Sequence, residues 1–181
     1  KSKSRLIKKI FLNFGAGDDR GAIIFILKNL LKISSHEFEF IVVSGKYNPN
    51  NAKIEQWIDF NLNKKVKLFI EPPSMYKLIS LCDLAIISSG TIAYEVANCG
   101  LPIMMVPISK NQNYLSKSWT IHKAAIDLGN IRNLESRKLI TNFLKIINNV
   151  NFRNSISKKA KSLCDGKGAN RVVKTIRVDI Y

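Results

Sequence analysis

The chain has 181 residues, which at roughly 100–200 residues per domain predicts a single domain over residues 1–181. Apolar residues make up 46% and charged residues 23%, a composition typical of globular proteins that argues against disorder. No apolar run approaches the roughly 18 residues of a membrane-spanning helix, so we expect no transmembrane segment. The basic start leads into only a short apolar segment, so we expect no signal peptide either. Because residue 1 is Lys and not Met, the sequence is compatible with a fragment of a longer protein.

The net charge is +16, from 29 basic and 13 acidic residues. The basic residues are spread over nearly every segment, and the 25 Ile and 18 Asn suggest AT-rich coding drift, so the charge is a weak indication of a partner. We expect no nucleic-acid partner; a non-enzymatic basic module that binds nucleic acid or another polyanion is the alternative interpretation. A basic surface does raise the local concentration of anions, which favours a phosphate-bearing ligand.

The three cysteines, Cys82, Cys99 and Cys164, are far apart and show neither CxxC nor Cys/His spacing. This pattern predicts small, buried, reduced side chains rather than metal or redox chemistry. We therefore expect no metal site and a cytoplasmic protein.

Predicted strands and helices alternate along the chain. The strands are apolar runs at 7–14, 38–44, 66–70, 83–87 and 103–106, with a further short strand near 129–131. The helices are predicted at 22–33, 50–60, 75–81, 92–98, 113–128, 135–148 and 151–163. Such alternation, with strands apolar on both faces, predicts an α/β fold with a doubly wound parallel sheet of the Rossmann-like kind. Its core would occupy residues 7–148, and a C-terminal helix and tail would occupy 149–181.

Ligands of open parallel sheets bind beyond the carboxyl ends of the strands, where loops lead into helices. The first such loop is Gly15-Ala16-Gly17-Asp18. Its small residues would let the backbone approach a phosphate in front of a helix N-terminus. The spacing is neither that of a dinucleotide GxGxxG nor that of a Walker loop, and an ordinary tight turn explains it equally well.

A second loop, Ser88-Ser89-Gly90-Thr91, precedes a helix that contains Glu95. Hydroxyls, a glycine and helix-start amides suit a phosphate, and a carboxylate one turn later suits a ribose diol. The alternative is a Ser/Thr helix cap with a solvated Glu95.

Two further loops follow the third and fifth strands. The turn Pro72-Pro73-Ser74-Met75 is rigid and apolar enough to wall one side of a base, and Ser74 is the predicted N-cap of the next helix. In the polar stretch 109–113, the amides of Asn111 and Gln112 could bond sugar hydroxyls, although a solvated loop is the alternative.

Histidines are scarce. His36 lies in a polar loop and His122 in the middle of a predicted helix, where we expect it to be packed. Neither has a Ser, Cys or acidic partner at a recognisable spacing, and no HExxH or GxSxG motif occurs. The sequence therefore predicts a binding surface more clearly than catalytic machinery.

Taken together, these loops resemble those of a known family. FGAGD, followed by FIEPPSMYKLISLCDLAIISSGTIAYEVANCGLPIMMVPISKNQ, resembles the C-terminal domain of GT-B glycosyltransferases of the MurG type. It resembles more closely the PseG/SpsG group, which comprises UDP-sugar hydrolases and their spore-coat polysaccharide relatives. The segment LCDGKGANRVV at 163–173 is similar to the DGxGxxRV signature of those proteins. The resemblance runs from about residue 7 to 176.

The resemblance implies a site for a UDP-sugar. The implied site residues are Gly15, Ala16, Gly17 and Asp18 at the diphosphate or sugar, Pro73, Ser74 and Met75 at uracil, Ser88, Ser89, Gly90 and Thr91 at the diphosphate, Glu95 at the ribose, and Asn111 and Gln112 near the sugar. Arg171 would tie down the C-terminal segment. Proteins of this type generally need neither a metal nor another cofactor for the chemistry.

The N-terminal domain of the family, with its glycine-rich loop and catalytic His, has no counterpart in this sequence. The resemblance therefore implies a UDP-sugar-binding half of a nucleotide-sugar hydrolase or GT-B glycosyltransferase of surface polysaccharide biosynthesis. Catalysis would need a GT-B-like N-terminal domain or a partner subunit. A self-sufficient hydrolase or transferase that uses Asp18 or His122 is the alternative.

Overall fold

The computed structural model describes residues 6–33, 37–61 and 65–178. His36 and the ends of the predicted domain, residues 1–5 and 179–181, lie outside the described residues. The described strands are β1 (Lys9–Asn13), β2 (Glu39–Ser44), β3 (Val66–Ile70), β4 (Leu84–Ile87), β5 (Ile103–Met105) and β6 (Ile126–Asp127). The described helices are α1 (Ala22–Leu30), α2 (Asn51–Phe60), α3 (Met75–Ser80), α4 (Ile92–Asn98), α5 (Lys110–Ile121), α6 (Ser136–Asn148), α7 (Val150–Leu163) and α8 (Gly168–Val178), with a 3₁₀ turn at Ile131–Asn133.

The strands form one six-stranded sheet in the order β3-β2-β1-β4-β5-β6, and every described pairing is parallel. The chain moves outward from β1 to β3 and then crosses to the other side of β1 to form β4. The predicted doubly wound parallel sheet is therefore confirmed. The strand order reverses between β1 and β4, which is where such sheets bind ligands.

The strand register brings the carboxyl ends of four strands to one edge of the sheet. Asn13 at the end of β1 is level with Val43 of β2 and with Ile87 of β4. Ser44, the last residue of β2, is level with Ile70 of β3. The loops that follow these four strands therefore emerge side by side.

Alternate residues of the strands are buried on opposite faces of the sheet, which explains their continuous apolar sequences. In β1, Ile10 and Leu12 pack into a cluster with α1, α2 and α6, whereas Phe11 packs into a second cluster with α3, α4 and α5. All three side chains are fully buried. Burial of each is worth roughly 1.5–3 kcal/mol, so both faces stabilise the sheet.

The helices follow the predicted apolar spacing. In α6, Leu139, Phe143, Ile146 and Ile147 recur at i, i+4, i+7 and i+8 and are buried. The ring of Phe143 meets Phe38 edge to face, with 5.1 Å between centroids. This contact holds α6 against the segment that leads into β2.

The predicted helix at 113–128 and the strand near 129–131 are wrong in their bounds. The helix α5 begins earlier, at Lys110, and His122 is its C-cap. Lys123 then adopts a φ of +56°, which turns the chain out of the helix. Ala124 and Ala125, which favour a helix by sequence, are instead buried against the second cluster just before β6.

The region 149–181 contains two described helices where one helix and a tail were predicted. The first, α7, crosses from α6 to α4 and is anchored where Ser157 Oγ donates a hydrogen bond of 2.5 Å to the Gly100 carbonyl. The second, α8, begins at Gly168 and presents Val172, Val173 and Ile176 to solvent. None of the helices in the described ranges is both long and apolar enough to cross a membrane.

Candidate functional site

A cavity of about 380 Å³ lies at the edge of the sheet where the strand order reverses. Its size falls within the range of small-molecule sites. Of the predicted site residues, those that line it are Gly15, Ala16, Met75, Ser88, Gly90, Thr91, Glu95 and Gln112. Those outside its lining are Gly17, Asp18, Pro73, Ser74, Ser89 and Asn111. Pro72, from the turn predicted to wall a base, also lines it, and the residues of the lining that were not predicted are Asn13, Val43, Ser44, Gly45, Lys46, Tyr47, Glu71 and Ile92.

Asn13 joins three of the strand ends that border the cavity. Its side-chain amide donates to the Val43 carbonyl at 3.0 Å, and its Oδ1 accepts from the Gly15 amide at 3.1 Å. Its own carbonyl accepts from the Ser88 amide at 3.0 Å. The side chain is only 5% exposed, so these bonds satisfy a polar group that would be costly to bury unpaired. A polar residue at the end of a buried strand was the only sequence signal for this role.

The loops after β1 and β2 touch backbone to backbone at Gly45. A Cβ atom on Gly45 would overlap the backbone of Ala16, so only glycine fits there. Gly15, in the facing loop, has a φ of +92°, a conformation that glycine adopts without strain. Two glycines therefore set how closely these two loops approach one another.

Asparagine side chains hold the β2–α2 loop in one shape. Asn48 donates to Ser44 Oγ at 3.0 Å, and Asn51 donates to the Gly45 carbonyl at 2.9 Å. Asn50 reaches the first loop, where its amide donates to Asp18 Oδ1 at 3.0 Å and to Asp19 Oδ1 at 2.7 Å. The two loops are thus tied by side chains as well as by the glycine contact.

The first-loop aspartates have structural partners. Asp18 accepts from the Arg20 amide at 2.8 Å and pairs with its guanidinium at 3.0 Å. Asp19 is 1% exposed and accepts from the Ile23 amide at 3.0 Å in the first turn of α1. Asp18 lies outside the lining of the cavity and is engaged with neighbours that hold the loop.

The loop after β4 supplies small polar groups to the cavity. Ser88 and Ser89 are 2% and 1% exposed, and Ser88 faces the cavity together with Gly90 and Thr91. Thr91 is the N-cap of α4. Glu95 lies in the first turn of α4 and is exposed, and its carboxylate has no hydrogen-bond or ion-pair partner among the described residues. Its carboxylate is therefore free to accept hydrogen bonds from a ligand.

Gln112 is oriented by the backbone that precedes α5. Its Oε1 accepts from the Ile108 amide at 3.0 Å, so its amide nitrogen is the atom left to donate. A Cβ atom on Gly90 would lie 4.0 Å from that nitrogen, which places the donor at the same part of the cavity as Gly90. Asn111, by contrast, accepts from Ser109 Oγ at 2.5 Å outside the lining.

The turn after β3 borders the opposite side. Glu71 adopts a φ of +48°, unusual for a residue other than glycine, and its amide donates to the Ser44 carbonyl at 3.0 Å. Pro72 and Met75 line the cavity. Ser74 accepts from the Lys77 amide at 3.4 Å, which confirms its prediction as the N-cap of α3.

His122 differs from its prediction. It is exposed at the C-terminal end of α5 instead of packed within a helix. It follows Gln112 by ten residues, so at 1.5 Å per residue it lies roughly 15 Å along the helix from the cavity. Within the described ranges, three or more His, Cys, Asp or Glu side chains nowhere group as a metal site would need.

None of the three cysteines forms a disulfide with another described residue, and burial varies among them. Cys82 is fully buried and donates from Sγ to the Leu78 carbonyl at 3.3 Å. Cys99 and Cys164 are half-buried, so the predicted burial is complete only at Cys82. Cys164 Sγ donates to the Tyr94 carbonyl at 3.3 Å.

The C-terminal signature forms an ion pair of its own. Arg171 Nη1 and Nη2 donate to the two carboxylate oxygens of Asp165 at 2.7 and 3.1 Å. These bonds, together with the Lys167 amide, lower the pKa of Asp165 to about 2. Arg171 thus pairs within the C-terminal segment and does not line the cavity.

Comparisons with known proteins agree with this architecture. The family model described as LpxB, lipid-A-disaccharide synthetase, matches residues 21–169. The spore coat polysaccharide biosynthesis protein SpsG of Bacillus subtilis (strain 168) is 24% identical over 175 residues, which cover 96% of this chain and 51% of SpsG. The chain spans about half the length of the relatives it matches.

Two solved structures share the fold. The structure of MurG from Acinetobacter baumannii has a TM-score of 0.73 at 20% identity, covering 96% of this chain and 50% of MurG. The structure of MnaA from S. aureus with UDP has a TM-score of 0.71 at 16% identity, covering 98% of this chain and 47% of MnaA. Since the LpxB model matches most of the chain, the chain belongs to the lipid-A-disaccharide synthetase family and has the fold of a GT-B glycosyltransferase C-terminal domain.

Proposed function

We propose that this chain binds the nucleoside diphosphate of a UDP-sugar in the cavity beyond β1 and β4. It would be the nucleotide-binding half of a GT-B-type hydrolase or transferase in surface polysaccharide or lipid-glycan synthesis. One observation carries the proposal: the loops after β1, β2, β3 and β4 and the first turn of α5 border a single cavity at the reversal of strand order. In sheets of this kind, that position is where nucleotides bind.

The lining offers a suitable group for each part of the ligand. The hydroxyls of Ser88 and Thr91 and the backbone amides of Gly90 and Thr91 lie in front of α4, which suits a diphosphate. The free carboxylate of Glu95 suits the ribose diol, because a carboxylate accepts from both hydroxyls. The nitrogen of Gln112 donates on the same side as Gly90 and suits a phosphate or sugar oxygen.

The base would lie against the turn after β3. Pro72 and Met75 provide an apolar wall there, and the strained backbone at Glu71 fixes the direction of the turn. The choice of UDP is supported by MnaA, whose structure contains UDP and shares the fold over nearly all of this chain. The polysaccharide role is supported by the similarity to SpsG.

Catalysis would require groups from elsewhere. No histidine lines the cavity within the described ranges, and His122 lies at the far end of α5. Because the chain spans about half of its relatives, the acid or base that acts at the anomeric carbon would come from an N-terminal domain or a partner subunit. This chain would then bind UDP but would not turn over a UDP-sugar alone.

Calorimetric titration with UDP tests the proposal. We expect the wild type to bind and Glu95→Ala to weaken binding roughly tenfold, since hydrogen bonds to a charged group are worth about 1.5–3 kcal/mol. Glu55→Ala is the matched control, because Glu55 is exposed on α2 outside the lining, and it should bind as the wild type does. An absence of heat and of NMR shifts at millimolar UDP would rule the proposal out.

A further inference from the structure

The charges that line the cavity are unlike those of the molecule as a whole. The chain carries a net charge of +16, yet the described residues at the cavity include two carboxylates, Glu71 and Glu95, and one basic side chain, Lys46. A nucleoside diphosphate brings at least two further negative charges. Basic side chains many ångströms away are screened and offset these negative charges only weakly. The ammonium of Lys46 therefore dominates the local charge balance.

Lys46 stands on a fixed part of the β2–α2 loop. The residue before it, Gly45, is pressed against the backbone of Ala16, and the Gly45 carbonyl is held by Asn51 at 2.9 Å. Two residues later, the buried Asn48 is bonded to Ser44 Oγ at 3.0 Å. The backbone on both sides of Lys46 is therefore held in place.

The Lys46 side chain itself is available. It is exposed, and it makes no ion pair with the described residues. Its Nζ lies 5.9 Å from the centre of the Tyr47 ring, a weak contact with a ring that is itself 78% exposed. An ammonium in this position can turn toward a phosphate without breaking a salt bridge.

We propose that Lys46 is the specificity-determining residue by which this cavity prefers a nucleoside diphosphate to the free nucleoside. Its ammonium pairs with the phosphate oxygens while the other loops contact the ribose and base. The inference rests on the proposed function and adds to it the residue that selects for phosphate.

The test compares two ligands, UDP and uridine, in calorimetric titrations of the full chain. Lys46→Met removes the charge and retains an apolar stem, and we expect UDP affinity to fall roughly tenfold while uridine affinity is unchanged. Lys46→Arg should restore most of the preference for UDP. Raising the salt concentration should shrink the difference between the wild type and Lys46→Met, because screening weakens an exposed charge pair.

Lys159→Met is the control for loss of one positive charge. Lys159 is exposed on α7 and lies outside the lining, so its variant should keep the full preference for UDP. If the wild type binds UDP and Lys46→Met binds it equally well, the inference about Lys46 is wrong and the proposed function stands. If Lys46→Met weakens the binding of UDP and of uridine equally, the inference is also wrong, because Lys46 would then act through the shape of the loop. A wild type that binds neither ligand would overturn the proposed function and this inference together.

Discussion

At the scale of single residues, the cavity depends on close contacts that place backbone groups rather than on large side chains. Asn13 bonds to Val43 and Gly15 and thereby connects the ends of β1 and β2 to the first loop. Gly45 allows that loop to approach the next one until their backbones touch. Because buried polar groups and close backbone contacts tolerate little change, these positions should be sensitive to small substitutions.

Gly45→Ala tests the backbone contact. The added methyl group would overlap the backbone of Ala16, so one of the two loops has to move. We expect a loss of roughly 1–3 kcal/mol in the free energy of unfolding, measured by urea denaturation, together with weaker UDP binding. Gly17→Ala is the control, since a Cβ there meets no atom within 4 Å, and it should unfold like the wild type. Equal stability of the two variants would contradict the close approach.

At the scale of elements, apolar periodicity predicted the helices and strands correctly where a segment is helical or extended throughout. It located α6 to within one residue at its start, because the apolar positions from Leu139 to Ile147 follow a helical period. It failed at the end of α5, where Lys123 turns the chain with a positive φ and Ala124 and Ala125 are buried in a bend before β6. Alanine favours a helix locally, and here tertiary burial overrides that preference.

The connection from α7 to α8 is an element whose stability should depend on pH. Ion pairing with Arg171 lowers the pKa of Asp165 to about 2, below the roughly 3.9 of an unfolded aspartate. The lowered pKa means that the pair stabilises the connection above about pH 4 and that this stabilisation is lost as the pH falls toward 2. The Lys167 amide donates to Asp165 at 2.9 Å, so we expect its protection against hydrogen exchange, measured relative to the intrinsic rate, to fall over this interval.

Asp165→Asn is the control for that dependence. Asparagine has no carboxylate to titrate. The Lys167 amide of the variant should therefore already exchange faster at pH 6, and its protection relative to the intrinsic rate should not fall further on acidification. An equally large loss of protection in the variant on acidification would show that a group other than Asp165 causes the pH dependence.

At the scale of the whole molecule, the sequence predicted the ligand-binding loops after β1, β3, β4 and β5 but not the contribution of the loop after β2. The small residues after β1 and β4 were recognisable because Gly15 and Gly90 lie within three residues of the end of a buried strand. Lys46 and Tyr47, which follow β2, were not among the predicted site residues. They reach the cavity because β2 pairs with β1, and strand order is set by the packing of the complete sheet. Gln112 was predicted at the site but in a loop, whereas its stretch forms the first turn of α5.

The stability of the whole chain should report on the cavity through ligand binding. A ligand at a hundred times its Kd raises the free energy of unfolding by about 2.7 kcal/mol, so UDP should raise the melting temperature of the wild type.

In Gly90→Ala the new methyl group would lie 3.7 Å from Ser88 Oγ and 4.0 Å from the Gln112 nitrogen, which are ordinary contacts. The variant should therefore melt like the wild type without ligand, but its methyl group occupies space in the cavity, and UDP should raise its melting temperature little. Gly168→Ala adds the same group in open space on α8 and should keep the full UDP-induced rise. A full rise in Gly90→Ala would place the nucleotide away from the β4–α4 loop.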